Sequence, residues 1–275
     1  MKRFPQKAKV IVFLLVLSML LPSLTAFSEH AQWDCPEPGC GRNGNRGNYC
    51  GNCGHPAPWM EEDGTSGGRK TTVSVGEYIT YGHYEQDNDM SNGKEAIEWL
   101  VLDYDANTNS ALLISRYGLD ARKYHNSWPF PTWGKSDIRN WLKGTFLNTA
   151  FTAAEQAGIV TTTVSTPSYY SYSGGEDTED RIWLLSSEEA EEYFSSTISR
   201  RAVPTTYAVA QGTLQDSRIM LNGEGCCWWW LRSPGNSSYN ASGVNYVGSL
   251  DNIDVINASN AVRPALWLDL DLAIF

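Results

Sequence analysis

The sequence predicts an α+β fold, in which short, twisted antiparallel sheets combine with two or three helices. A small cysteine-rich module is predicted to precede this domain. Three features indicate this organisation: three consecutive tryptophans in a strand-like stretch, helix-capping signals between groups of short apolar segments, and four closely spaced cysteines near the amino terminus. The 275 residues leave room for one large domain and one small module.

The tryptophans lie within residues 226–235 and are followed by Ser-Pro-Gly. Because side chains alternate across a strand, consecutive rings at 228–230 occupy both of its faces. Each ring buries about 150–250 Å² of surface. Only a central strand that is covered on both sides accommodates them. Proline removes a ladder donor and glycine permits a reversal, so residues 233–235 should end the strand.

Residues 1–26 have the three parts of a secretory signal peptide. An apolar run at 10–21 leads to the small residue Ala26, which suits cleavage. The basic start consists of Lys2, Arg3, Lys7 and Lys9. An uncleaved membrane anchor is the alternative, since residues 10–27 approach the length that spans a bilayer. In both cases the basic flank directs the rest of the chain outward.

The formal net charge is −10, and removal of the four basic residues of the signal would make it −14. Such an acidic protein is a poor candidate for binding nucleic acid or anionic membranes by charge. It is typical of a soluble protein outside the cell. We therefore expect an extracellular protein, secreted or at the cell surface, that meets a membrane only through an uncleaved signal anchor.

The cysteine module spans residues 33–55, and its spacing is Cys-x4-Cys-x9-Cys-x2-Cys. Four thiolates in two pairs, flanked by glycines, suit tetrahedral zinc. The sequence Cys-Gly-Asn-Cys-Gly at 50–54 resembles short zinc-ribbon modules, although four residues rather than two separate the first pair. Two disulfides are the alternative in an oxidising compartment. The predicted zinc ligands are Cys35, Cys40, Cys50 and Cys53.

Residues 56–71 are rich in Pro, Gly, Ser and charge and are predicted to be a linker to the main domain at 72–275. Strands are expected at 73–82, 97–103, 111–115, 181–185, 226–235, 242–248, 252–256 and 261–270. Helices are expected from Ser136 to Gly144, from the capping box Thr152–Glu155, and from the capping box Ser186–Glu189.

The polar loop at 85–93 partly matches the twelve-residue calcium loop of an EF-hand when Asp87 is counted as position one. Asp87, Asp89 and Ser91 then occupy alternate positions, and Glu98 occupies position twelve. However, position six is Asn92 rather than glycine, and Glu98 lies in a predicted strand. A solvated hairpin loop is therefore the preferred interpretation.

Arg232 and Arg263 each follow an apolar strand segment. Because charges near a core must be paired, we expect both to bind carbonyl or carboxylate groups inside the fold. Neighbouring strand side chains point to opposite faces, so a metal shared by the adjacent Cys226 and Cys227 would need a bulge. Two buried thiols or a vicinal disulfide are expected instead.

Four motifs at 82–89, 97–99, 230–235 and 261–268 occur in an order that resembles a family of uncharacterised bacterial secreted or surface domains, DUF6273. The resemblance covers about Val73 to the carboxyl terminus, and such domains often follow a zinc ribbon. More loosely, the chain is similar to C-type-lectin-like folds, which include sulfatase-modifying and phage-tropism proteins. That similarity implies two helices around small twisted sheets, with ligand-binding loops.

No metalloprotease, serine-hydrolase or phosphate-loop motif is present. The sulfatase-modifying relatives use a cysteine pair with copper, but here Cys226 and Cys227 are adjacent and no surrounding motif matches. We therefore predict a non-enzymatic binding or adhesion module. An oxidase-type enzyme and a purely structural surface protein are the alternatives.

The predicted ligand site lies in residues 234–260, where Asn, Ser, Tyr and Gly are concentrated. This mixture is typical of recognition loops. The candidate residues are Tyr239, Asn240, Asn245 and Tyr246. The alternative is that they form the turns of a β meander. The sequence leaves open whether the ligand is a glycan, a peptide or a protein.

The cysteine module gives a first testable prediction. One zinc per chain is expected in the purified protein, and replacement of Cys50 and Cys53 by serine should abolish zinc binding while the domain at 72–275 stays folded. Elemental analysis and circular dichroism are the measurements. Absence of zinc together with absence of free thiols at the four positions would establish the disulfide alternative.

Overall fold

The computed structural model describes residues 72–129 and 131–274. These residues form a mixed α+β structure, with mostly strands in small curled sheets and a few short helices. The predicted signal peptide (1–26), cysteine module (33–55) and linker (56–71) lie outside the described residues, as do Cys35, Cys40, Cys50 and Cys53.

The first sheet has four antiparallel strands in the order β1-β2-β3-β13. They are β1 (Tyr78–Tyr84), β2 (Glu95–Asp105), β3 (Ser110–Ser115) and β13 (Ala265–Asp269). Ile97, Trp99 and Val101 alternate along β2 and are buried, which places one face of the sheet against the core. Because β13 pairs with β3, the two ends of the domain meet in one sheet.

The second sheet has five strands in the order β11-β10-β9-β12-β4. They are β4 (Asp120–Ala121), β9 (Trp229–Pro234), β10 (Asn240–Val244), β11 (Leu250–Asp254) and β12 (Ala261–Val262). The tryptophan strand β9 lies in the middle, between antiparallel β10 and parallel β12. The prediction of a central strand that ends at the Ser-Pro-Gly sequence is confirmed, but the single strand predicted at 226–235 is wrong. Cys226 and Cys227 belong to β8, and Trp228 lies in neither strand.

The two fully buried tryptophans of β9 face different groups of aromatic residues. The Trp229 ring packs edge-on against Phe194, with centroids 6.4 Å apart, and the Trp230 ring packs against Tyr124 at 5.5 Å. Each indole N–H also donates to a main-chain carbonyl, of Arg200 at 3.0 Å and of Arg122 at 2.7 Å. Both rings are therefore buried without an unpaired donor.

Two short hairpins complete the β structure of the described residues. One pairs β5 (Thr162–Val164) with β6 (Thr178–Asp180), and the other pairs β7 (Gln215–Leu221) with β8 (Glu224–Cys227).

The described residues contain six α-helices of four to seven residues, more than the two or three predicted. They are α1 (Asp137–Trp141), α2 (Leu147–Ala150), α3 (Ala153–Gly158), α4 (Ser187–Tyr193), α5 (Thr197–Arg200) and α6 (Thr206–Ala210). A 3₁₀ turn at Trp133–Lys135 precedes α1. The predicted N-cap at Ser136 and the capping boxes at Thr152 and Ser186 are confirmed.

Several sequence predictions about element bounds are wrong. The strand predicted at 242–248 ends at Val244, and the strand predicted at 261–270 is divided into β12 and β13. The first strand begins at Tyr78 rather than Val73, because Gly76 has φ +88° in a turn. Gly144 does not end the helix from Ser136, since a π-helical turn at Leu142–Phe146 continues into α2. Residues 181–185 are mostly buried but make only an isolated bridge between Trp183 and Ala265.

In the described part of the chain, no helix has the length and apolar character of a membrane-spanning segment.

The position of Trp229 gives the second prediction. Trp229→Ala should lower the free energy of unfolding by about 3–5 kcal/mol, because it removes a buried ring from the central strand. Thermal or urea denaturation measures this. Trp128→Ala is the control, since that side chain is 49% exposed and its loss should cost far less. Equal stability of the two variants would contradict the role assigned to β9.

Candidate functional site

The four predicted ligand-binding residues lie at opposite ends of β10. Asn240 begins the strand and Asn245 follows its last residue, Val244, so the two ends are about 13 Å apart at about 3.3 Å per residue. The structure therefore brings Tyr239 near Asn240 and Asn245 near Tyr246, but it does not unite the four in one site.

At the first end, Tyr239 is 55% exposed and packs edge-on against Trp128, with ring centroids 5.9 Å apart. The Trp128 indole donates to Asp254 at 2.9 Å. Asn240 is half-buried, and its amide donates to the side-chain oxygen of Asn236 at 3.3 Å. These residues form an aromatic corner on the surface.

At the other end, Asn245 shapes a turn by accepting the backbone N–H groups of Val247 and Ser249 at 3.1 and 3.0 Å. The neighbouring Tyr246 packs edge-on against Trp228 at 5.8 Å. Asn245, Tyr246 and Trp228 line a surface depression of about 400 Å³ together with Arg218. This end of β10 is the part of the predicted site that has the form of a pocket.

A larger cavity of about 520 Å³ lies against the first sheet, and the sequence did not reveal it. We call it the aromatic–arginine pocket. Its lining includes three tyrosines (Tyr78, Tyr117 and Tyr193) and three arginines (Arg116, Arg201 and Arg263), together with Glu192, Glu224 and several serines. Tyr78 begins β1, Arg116 follows β3 directly, and Tyr193 ends α4.

Arg116 lines this pocket and contacts two aromatic rings. Its guanidinium lies 4.9 Å from the centroid of Tyr78 and 5.0 Å from that of Tyr117. Its hydrogen bonds to the Glu98 carboxylate, at 3.0 and 3.2 Å, both use Nη1. Since the other guanidinium nitrogens of Arg116 make no hydrogen bond to the described residues, they remain available to a ligand.

Arg263 lies deeper in the wall and is 3% exposed. Nε and Nη2 donate to the carbonyl of Ser115 at 3.0 and 2.9 Å, and the guanidinium stacks 4.7 Å from the Trp229 ring. The predicted pairing of Arg263 with a carbonyl is confirmed. Nη1, however, has no acceptor among the described residues. Burial lowers the pKa of Arg263 to about 10, which leaves it charged at neutral pH.

Arg232 has the structural role that the sequence predicts. Its guanidinium pairs with both carboxylate oxygens of Glu189 and donates to the carbonyls of Ser165 and Leu184. Arg232 therefore ties α4 and the loop after β5 to the central strand.

Cys226 and Cys227 end β8 and are both buried, free thiols. Of the two predicted states, the structure shows the thiols and not the vicinal disulfide. Burial raises the pKa of both groups above the ordinary value for cysteine. Since the thiolate is the nucleophile and the metal ligand, this environment disfavours cysteine chemistry at neutral pH.

The loop at 85–93 does not have the calcium-site arrangement weighed from the sequence. Asp89 accepts hydrogen bonds from Ser91 and so forms a local turn. Glu98 lies in β2 and forms an ion pair with Arg116. The interpretation as a hairpin loop between β1 and β2 is confirmed.

Comparison with known proteins shows the family of the chain but gives no activity. No curated protein and no solved structure matches it. The profile of the family described as Domain of unknown function (DUF6273) matches residues 108–270, which is more than half of the chain. The match begins after the motifs at 82–89 and 97–99, so it is shorter than the resemblance read from the sequence. The chain belongs to the DUF6273 family.

Proposed function

We propose that this protein is a secreted or cell-surface binding module that holds an anionic group of its ligand in the aromatic–arginine pocket. The observation that carries this proposal is Arg116, whose guanidinium lines the pocket beside Tyr78 and Tyr117 and is hydrogen-bonded to the described residues through Nη1 alone. Arg263 in the same wall is buried and adds a positive charge, which favours an anion bound nearby.

The chemistry of the pocket fits a carboxylate-bearing ligand. Guanidinium groups bind carboxylates through paired hydrogen bonds, and Arg116 and Arg263 both lie in the wall. Tyr78 and Tyr117 offer ring surface to the remainder of the ligand, at a low cost in side-chain entropy. Acidic glycans and peptides with a free carboxylate share this chemistry, so either is a candidate ligand.

The loops at 234–260 remain a second candidate binding surface. The depression beside Trp228, Asn245 and Tyr246 supports this alternative, because it combines two aromatic rings with polar groups. Its volume of about 400 Å³ is smaller than that of the aromatic–arginine pocket, and none of its lining residues is a buried charge without a partner.

We further propose that the main domain has a C-type-lectin-like fold preceded by a structural zinc ribbon. Small curled sheets and short helices support the fold, and the Cys-Gly-x-Cys-Gly sequence supports the ribbon. The alternative of an oxidase-type enzyme is less favoured, because Cys226 and Cys227 are buried with raised pKa values. A purely structural surface protein remains the alternative without a ligand.

Arrays of glycans and of short peptides, each with neutral and carboxylate-bearing members, test the pocket. We expect capture of carboxylate-bearing members, and Arg116→Gln should weaken capture at least tenfold because it removes a partly exposed guanidinium from the pocket wall. Tyr78→Ala should weaken it less. Tyr170→Ala is the matched control, since this tyrosine is 81% exposed and does not line the pocket.

The same assay separates the alternatives. If Tyr239→Ala or Tyr246→Ala abolishes capture while Arg116→Gln does not, the ligand binds at the loops of 234–260. If the folded protein captures no member of either array, the pocket is not a site for carboxylate ligands.

A further inference from the structure

The hairpin between β1 and β2 brings three carboxylates together at its loop end. Glu85 directly follows β1, Glu95 begins β2, and Asp87 lies in the loop between them. One oxygen atom from each of the three lies within 4.8 Å of the others. We call these residues the hairpin carboxylate cluster.

Glu85 distinguishes this cluster from an ordinary group of surface acids. It is 7% exposed, and its Oε1 has no hydrogen-bond partner among the described residues. No ion pair among those residues involves Glu85, Asp87 or Glu95. A buried carboxylate oxygen beside two further carboxylates is unfavourable unless a positive charge accompanies it.

The loop backbone holds the other two carboxylates in position. Oε2 of Glu95 accepts the N–H groups of Gln86 at 2.6 Å and Asp87 at 3.3 Å. Asp87 accepts the Asp89 N–H at 2.7 Å and the Asn92 amide at 2.7 Å. These bonds orient the carboxylates without neutralising them, so the cluster is organised before any ligand binds.

We propose that the hairpin carboxylate cluster binds a Ca²⁺ ion. Hard oxygen ligands and a flexible coordination geometry suit Ca²⁺, whose oxygen ligands lie at about 2.3–2.6 Å. Two oxygens on opposite sides of the ion are therefore about 4.8 Å apart. Three oxygens that all lie within 4.8 Å of one another can share such an ion. Mg²⁺ requires near-ideal octahedral geometry and loses its waters reluctantly, so three carboxylates from a hairpin loop favour Ca²⁺.

The ligands proposed here differ from those of the EF-hand-like arrangement considered for the same loop from its sequence. They are Glu85, Asp87 and Glu95, whereas that arrangement would use Glu98, which is paired with Arg116. With three protein carboxylates, affinity is expected in the range of extracellular calcium modules, about 10⁻⁴–10⁻³ M.

Calcium at this position would stabilise more than the hairpin. The carbonyl of Gln86 accepts the N–H of Tyr207 at 2.9 Å and so links the loop to α6. Gln86, Asp87 and Glu95 also line a depression of about 320 Å³ that reaches Tyr117 and Glu224 of the aromatic–arginine pocket. The ion would therefore fix one border of that surface.

Calorimetric titration of the full chain with CaCl₂ tests the site. The protein is dialysed against metal-free buffer without chelator, so that metal held elsewhere is retained equally in all variants. We expect saturable binding of one ion per chain. Glu85→Gln and Asp87→Asn should each weaken binding at least tenfold, because each removes one charge and keeps the side-chain shape. Glu98→Gln is the matched control from the same hairpin and should change affinity less than twofold.

Thermal melting gives an independent test. If Glu85 had a purely structural role, the effect of its substitution on the melting temperature would not depend on calcium. Without calcium, Glu85→Gln should melt above the unsubstituted protein, because it relieves repulsion. In 10 mM CaCl₂ the order should reverse. Absence of binding at this concentration, as expected if Glu85 and Asp87 instead share a proton, would overturn the proposal. So would tighter binding of Mg²⁺ than of Ca²⁺, or an equal loss of affinity in Glu98→Gln.

Discussion

The fold depends on burying large aromatic rings on both faces of one strand. Trp229 and Trp230 are adjacent in β9, so their rings need partners on opposite sides of the sheet. Phe194 covers one ring and Tyr124 the other. Segments distant in sequence must therefore close over β9 from both directions. This requirement explains why helices and loops lie around small sheets instead of extending them.

A core built from short strands also leaves main-chain carbonyls without partners in the sheets. Buried arginines donate hydrogen bonds to these carbonyls. Arg232 and Arg263 donate to carbonyls of three loop or strand-end residues. Arg139 pairs with the fully buried carboxylate of Asp180, which also accepts the Trp133 indole N–H at 3.0 Å. A guanidinium has five donors, so one side chain can join several chain segments. The positive charges of Arg139 and Arg232 are balanced by the carboxylates of Asp180 and Glu189.

Sequence reading predicted the features that depend on local interactions. The N-cap at Ser136 and the capping boxes at Thr152 and Ser186 involve residues three positions apart, and all three are present. It failed at Gly144, where burial of Leu142 and Phe146 continues the helical segment past a poor helix former. Tertiary packing determines where this helical segment ends, and no local sequence signal indicates that position.

The candidate sites were less predictable for the same reason. Tyr78, Arg116, Tyr193 and Arg263 meet in one pocket only after β13 pairs with β3 and α4 packs near them. Arg263 was assigned to a carbonyl correctly, but its remaining donor is visible only in three dimensions. Similarly, Glu85 and Glu95 are ten residues apart and converge because Tyr84 pairs with Glu95 across the hairpin.

The net charge of −10 gives little information about either site. Long-range attraction follows the summed charge, whereas contact binding follows the few groups that line a cavity. Among the described acids only Glu85, Asp120 and Asp180 are buried, whereas the guanidinium of Arg263 is buried beside aromatic rings. Water screens buried charges less, so one buried arginine affects a bound anion more than several surface carboxylates do. An acidic protein can therefore have both an anion-binding pocket and, at the loop end of a hairpin, a cation-binding cluster.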